Sequence, residues 1–260
     1  MSLARGAFIQ LQVVHALVLR ETRTKFGEHQ LGYLWAVLEP LFWIGTFWAS
    51  YIVVGRPVSP GLDDLSFLTT GILTYELFSN NVSRIGEAIN GNKQLLFYPQ
   101  VQPIDLVWAR AALETATICA VFILIMGTAA FYRGEVPRVD SVLKVLLGFG
   151  LAAFLGTGLG LLLCMVSEVL PIMERLRGPL LRPLFWVSGL FYTLDEIPRS
   201  AHDALLYNPV LHTLELVRDG WYPQYDAKEA SPFYVLCFAL TFMVAGLLLE
   251  RIVRKRIELS

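Results

Sequence analysis

Seven aromatic side chains fall between residues 33 and 51: Tyr33, Trp35, Phe42, Trp43, Phe47, Trp48 and Tyr51. Trp35, Trp43, Phe47 and Tyr51 are separated by multiples of four, so on a helix they form one slowly drifting stripe. A second group, Phe185, Trp186, Phe191 and Tyr192, stands much later in the chain. Aromatic faces stack on the C–H side of sugar rings, and indole N–H or phenol O–H groups stay free for hydrogen bonds. A stripe of this kind can line a path for saccharide. The competing reading is an interfacial belt with lipid-facing bulk. A belt accounts for Trp35 and Tyr51 near the ends of the segment, but not for Trp43 and Phe47 in its middle.

Ionisable residues inside the apolar stretches are few. Glu39 precedes Pro40, Glu76 stands alone, and Arg110 and Glu114 lie four apart. Charge in lipid is costly, so each is a functional candidate. The spacing of Arg110 and Glu114 predicts a pair on one helix face. No run of carboxylates suggests an ion relay. His15, His29, His202 and His212 have no metal-like spacing, and Cys119, Cys164 and Cys237 form no CxxC pair, so neither a metal site nor a disulfide framework is indicated. No Ser/His/Asp or Cys/His arrangement is readable and no Walker motif is present. The chain is therefore expected to be no enzyme, with no catalytic or metal-binding residues and no cofactor of its own.

These residues must be positioned by membrane helices. The 260 residues are 55% hydrophobic and 17% charged, with mean hydropathy +0.54, whereas soluble domains carry about 25% charged residues. A bilayer accommodates such a surface and a soluble core does not. No basic stripe long enough to track nucleic-acid phosphates is present. A span needs roughly 20 apolar residues. The reading is an all-α integral membrane protein with six transmembrane helices at about 33–54, 65–83, 106–131, 145–166, 180–194 and 233–249. Residues 1–29 read as an amphipathic helix lying on the cytoplasmic surface, with Phe8, Leu11, Val14 and Val18 on one face. Residues 30–194 hold spans one to five, 195–230 a periplasmic segment, and 231–260 the sixth span with a cytoplasmic tail, all in a single transmembrane domain. With both termini inside, thirteen Lys and Arg fall on cytoplasmic segments against six outside, as the positive-inside rule requires. The segment 195–230 is too polar to cross. Two short helices dipping into the outer leaflet suit it, with an ordinary loop as the alternative. Gly156 and Gly160 make a GxxxG spacing in span four, which permits close helix approach within the chain or at a dimer face.

Four strings then carry a resemblance. LRETRTKFGEHQLGYLWAVLEPLFWI from Leu19, NKQLLFYPQVQPID at Asn92 to Asp105, RPLFWVSGLFYTLDEIP at Arg182 to Pro198 and YNPVLHTLELVRDGWY at Tyr207 to Tyr222 closely resemble ABC-2 (type V exporter) permeases of the KpsM/Wzm polysaccharide-export family. The resemblance covers the chain in order, and FYPQ and GYLWAVLEP lean toward the capsule-export branch. It implies a transport subunit in the bacterial inner membrane that works as a homodimer with two copies of a nucleotide-binding ATPase subunit, which holds ATP and Mg. It implies export of a lipid-linked capsular polysaccharide through a channel lined by Trp35, Phe42, Trp43, Phe47, Tyr51, Phe185, Trp186, Phe191 and Tyr192. A periplasmic adaptor (polysaccharide co-polymerase) and an outer-membrane channel are implied as further partners. The family's surface helix maps to about Phe8 to Phe26. Its coupling segment maps to about Asn92 to Gln100, with Phe97, Tyr98 and Pro99 toward the ATPase. A second contact falls in a loop at Met173 to Arg177, with Arg175. Its re-entrant gate helices map to about Asp195 to His212, with Asp195, Glu196 and Asn208. The alternatives are an O-antigen or teichoic-acid exporter permease, and an ion-coupled secondary transporter.

Overall fold

The computed structural model describes residues 3–27, 31–55, 62–98, 100–134 and 138–257, and among these it contains helices and no strand. Among the described residues nine α-helices follow one another: α1 Leu3–Phe26, α2 Leu31–Val54, α3 Asp64–Gly86, α4 Pro103–Arg133, α5 Val142–Val169, α6 Ile172–Val187, α7 Arg199–Leu206, α8 Pro209–Trp221 and α9 Pro232–Ile257. Short 3-10 segments lie at Asn90–Phe97 and Leu194–Glu196.

Local chemistry sets several of these boundaries. Asp63 caps α3 by accepting from the Ser66 amide at 2.9 Å. Gln102 and Asp105 form a capping box at the start of α4, with Pro103 at its first position. Gly134 closes α4 in the left-handed region at φ 69°. Asn208 caps α8 through its side-chain oxygen, 3.1 Å from the Val210 amide.

Among the described residues four helices are long and apolar enough to cross a bilayer: residues 32–54 of α2, α4, α5 and residues 232–253 of α9. The expected second and fifth spans both exist as helices but fall outside that set. α3 has the length, with 23 residues or about 35 Å. Its Thr69, Thr70, Thr74, Glu76 and Asn81 make it too polar for lipid contact, and it is instead enclosed by its neighbours, with most of its residues buried. α6 has only 16 residues and begins at Ile172, eight residues before the expected start of span five. Pro179 and Pro183 lie inside this helix, and Met173 to Arg177 form its first turns rather than the expected loop.

The core is α5, ringed by α3, α8 and α9. Glycine permits this packing at close quarters. A Cβ on Gly156 would lie 2.6 Å from the Phe78 carbonyl oxygen, and one on Gly160 would lie 2.9 Å from Ile85 Cβ, both on α3. A Cβ on Gly148 would meet Val217 of α8 at 2.5 Å, and one on Gly158 the Ala239 carbonyl of α9 at 2.8 Å. The GxxxG pair thus seats a helix of the same chain.

Candidate functional site

α2 runs along the flank of this core, and α6 meets it there. Trp43 and Phe47 of α2, Phe185 and Trp186 of α6, and Phe191 in the turn that follows come together in one cluster. Phe47 and Phe191 have ring centroids 4.2 Å apart, Phe185 and Trp186 5.4 Å, Trp186 and Phe191 5.6 Å, and Trp43 and Phe47 6.1 Å. Tyr51 joins through its hydroxyl, which donates to the Phe191 carbonyl at 2.9 Å. Phe42 stands edge-on to Trp43 at 6.3 Å. Trp35 lies exposed, without a ring partner among the described residues, and Tyr192 contributes its carbonyl rather than its ring. Tyr75 of α3, which the sequence did not single out, backs the cluster at 5.3 Å from Phe185. Its hydroxyl donates to the Leu181 carbonyl at 2.6 Å. Trp43, Phe42 and Trp186 remain exposed, so the cluster has one closed side against α3 and one open side.

The open side continues down α6. Arg175, Arg182 and Trp186 are exposed and are spaced seven and four residues apart, which puts them on one helix face. Neither arginine has an ion pair with a described residue. An uncompensated arginine is costly against lipid, so this face suits water and an anion.

At the end of the bundle holding Arg84 and Arg177, the 3-10 segment Asn90–Phe97 presents Phe97, 85% exposed, and Tyr98, also exposed. Pro99 lies outside the described residues. Asn92 anchors the segment from beneath. It is buried, donates to Glu21 at 2.8 Å and to the Ala88 carbonyl at 3.2 Å, and accepts from Arg20 at 2.5 Å. Asn90 hydrogen-bonds Glu174 of α6, and Arg177 of α6 reaches Glu87 at 3.0 Å and the Ser83 carbonyl at 3.1 Å. The two expected coupling contacts therefore adjoin on one surface. Arg110 and Glu114 do not pair with each other. Arg110 pairs with Glu21 at 3.2 Å and Glu114 with Lys25 at 2.7 Å. The side chains of α4 satisfy the complementary pair on α1 because Glu21 and Lys25 repeat the same spacing with the charges reversed.

At the opposite end, the segment after α6 forms two helices, α7 and the longer α8, which runs on to Trp221. Asp195 and Glu196 lie exposed in a 3-10 turn. Asn208 is buried and donates to Ser188 Oγ at 2.8 Å, tying α8 to the end of α6. His212 bridges α7 and α9: the Ser231 amide donates to its Nδ1 at 3.3 Å, and its Nε2 lies 2.9 Å from the Leu206 carbonyl. Burial pushes the imidazole below its ordinary pKa, against the opposing bond to Leu206. Asp63 pairs with Arg133 at 2.6 Å. Burial would raise its pKa, but hydrogen bonds from Arg133 and Ser66 outweigh burial and hold the carboxyl below the usual range. No group of three or more His, Cys, Asp or Glu suited to a metal occurs among the described residues.

The model of the ABC-2 type transporter family matches residues 12–222. A polysialic acid transport protein, KpsM, of Escherichia coli is 37% identical over 254 residues, which is 96% of each chain. Capsule polysaccharide export inner-membrane protein BexB of Haemophilus influenzae is 27% identical, with 96% of this chain and 94% of the relative aligned. The corresponding protein CtrC of Neisseria meningitidis serogroup B is 27% identical over the same shares.

Proposed function

Because the chain belongs to the ABC-2 type transporter family, we propose that it is the membrane subunit of an ATP-driven exporter of lipid-linked capsular polysaccharide across the bacterial inner membrane. Two copies would enclose the channel, and two copies of a separate ATPase subunit, carrying ATP and Mg, would sit against the Phe97–Arg175 surface. Both termini would be cytoplasmic, with α2, α3, α4, α5, α6 and α9 as six spans. The distribution of Lys and Arg supports this orientation. A periplasmic adaptor and an outer-membrane channel would receive the polymer.

The observation that carries this reading is the aromatic cluster with one open side. Rings offer many weak contacts of similar strength, so a sugar polymer can slide between them without a deep well. Arg182 below the cluster, without an ion pair among the described residues, favours an acidic polymer that compensates it. ATP-driven closure of the partner would press on the 3-10 segment, whose position is locked to α1 and α6 through Asn92 and Asn90. Repeated cycles would then advance the chain.

The test is co-expression with the ATPase subunit of the same export system, followed by purification and an ATPase assay with and without acidic capsule glycolipid. The expected outcome is a two-plus-two complex whose ATP hydrolysis changes with the glycolipid. A chain that purifies alone, or a complex indifferent to any acidic glycolipid, counts against the reading.

A further inference from the structure

The turn after α6 exposes three consecutive carbonyls that no helix satisfies, and each has a donor from elsewhere in the fold. Arg218 Nη2 donates to Leu190 O at 3.0 Å, Tyr51 Oη to Phe191 O at 2.9 Å, and Arg218 Nη1 to Tyr192 O at 3.2 Å. Helix length explains the need. α6 has 16 residues, about 24 Å, whereas the apolar layer is about 30 Å thick. A helix that begins at the cytoplasmic face and stops this early leaves the turn that follows it at membrane depth, where an unmet backbone carbonyl is costly. Gly189, at φ +77°, reverses the chain at that point.

Arg218 is shaped for this task. Its side chain is fully buried, and its guanidinium carbon lies 3.7 Å from the centre of the Phe67 ring. A Cβ on Gly71 would lie 2.8 Å from Arg218 Nη2 and 3.1 Å from Leu190 O, so the glycine on α3 makes room for the fork and its carbonyl together. The nearest carboxylate, Glu215, stays 3.7 Å from Nη1, and its other oxygen accepts from Tyr225 Oη at 2.6 Å. The short contacts of the guanidinium thus go to carbonyls and not to an acid. Two carbonyls held by one planar fork call for arginine, which a single ammonium does not replace. The residue between those two carbonyls is Phe191, which packs on Phe47.

We propose that Arg218 is a positioning residue for polymer passage: with Tyr51, it fixes the 190–192 turn and keeps the Phe191 ring in the aromatic path. This rests on the export reading above. Arg218 itself touches no substrate. It acts through the backbone that carries a ring of the path.

The experiment uses the complex with its ATPase in lipid nanodiscs and measures hydrogen exchange of peptides covering 188–196 alongside polysaccharide export per ATP hydrolysed. Arg218→Gln is expected to speed exchange in this turn by about tenfold or more while α5 and α9 stay protected, a local opening rather than global loss. Arg218→Lys should lie between wild type and Gln. Gly71→Ala keeps the arginine but displaces its fork, and should reproduce the loosening. Export should fall severalfold in all three variants, with ATP hydrolysis retained. Unchanged exchange at 188–196 overturns the proposal, as does a loosened turn with export intact. A uniform rise in exchange across α5 and α9 makes Arg218 a staple of the whole fold and also overturns it. The exchange measurement needs no polysaccharide. A wild-type complex that moves no acidic polysaccharide therefore defeats the export reading separately, before any variant is compared.

Discussion

α5 and α2 are both apolar enough to cross a bilayer, with mean hydropathies of 2.1 and 1.5. Their surroundings are opposite. Of the most apolar stretch in each, 67% is buried within the chain for α5 and 11% for α2. α5 carries glycines where neighbouring helices touch it, so backbones meet and little ring area is present. α2 carries rings that its neighbours α3 and α6 cover on one side only. Small residues at a contact indicate helix-on-helix packing, because lipid gives no hydrophobic drive and close van der Waals fit must do the holding. Large aromatics left open on α2, beside Arg182 of α6 that has no ion pair among the described residues, are what the proposed polymer path requires. Hydropathy alone cannot separate the two, but the size of the side chains at the contact positions can.

The contrast is broken most sharply by one substitution made twice. Gly156→Ala places a methyl 2.6 Å from the Phe78 carbonyl and 2.9 Å from Asn81 Cβ, and neither is the far end of a flexible side chain. Overpacking of this kind costs about 1–3 kcal/mol, so thermal unfolding in detergent should fall by several degrees and yield should drop. Gly45→Ala on α2 meets nothing within 4 Å and adds helix propensity worth up to about 1 kcal/mol. It should leave unfolding unchanged or slightly higher. Equal losses from both would mean that α2 is packed as α5 is, and that the open flank belongs to a contact within the assembly.

A smaller effect on the fold, with a larger one on transport, is expected from the rings. Trp43→Ala with Phe47→Ala removes partly exposed aromatics whose pairwise contacts contribute about 0.5–1.5 kcal/mol each. Unfolding should shift by only a few degrees, the complex with its ATPase should persist, and polysaccharide export in cells should fall severalfold. Full export by this double variant would return α2 to a lipid-facing role.

The same two regions differ in how much of them the sequence disclosed. The stripe through Trp43, Phe47 and Tyr51 was legible because a four-residue repeat puts like side chains on one face, and the second aromatic group at 185–192 does meet it. The extent of α6 was less legible: a fifth span expected from about residue 180 in fact begins at Ile172, with Pro179 and Pro183 inside the helix. Arg110 and Glu114 illustrate the limit of spacing arguments. Four residues apart on α4, they suit each other, but Glu21 and Lys25 on α1 offer the same spacing in the reverse order, and only tertiary structure decides between local and crossed pairing. Arg218 escaped notice because the whole of 195–230 was read as a segment too polar to cross. The signal was present in VLHTLELVRDGW, where Glu215 and Arg218 interrupt an apolar run at helical spacing, and a charge among buried positions asks for a partner.

The least forceful effect concerns pH at the outer end of the core, where α8 and α9 meet through His212. The Ser231 amide donates to Nδ1, so the proton sits on Nε2 and is given to the Leu206 carbonyl, and the ring is held neutral. Its folded pKa lies below its unfolded value of about 6.5. Stability from this group is therefore fully present above pH 6.5 and is lost as pH falls through the folded pKa. Asp63 acts with the same sign in a lower window: its carboxyl is held below the usual range, so its contribution stands above about pH 4 and fades beneath it. That pair is partly exposed, and solvent screening limits it to about 1 kcal/mol or less. Thermal unfolding followed at pH 7.5, 6 and 5 should thus decline first through His212. His212→Gln offers no ring to protonate. It should be less stable than wild type at pH 7.5, yet should lose less between pH 7.5 and 5. A variant that kept the full decline would assign the acid sensitivity to groups outside α8. Trp43 stands on the open flank of α2, away from the contact that His212 makes between α8 and α9, so the same acidification should leave a labelled cysteine at position 43 as accessible as before, and the two regions would then differ in pH response as they do in packing.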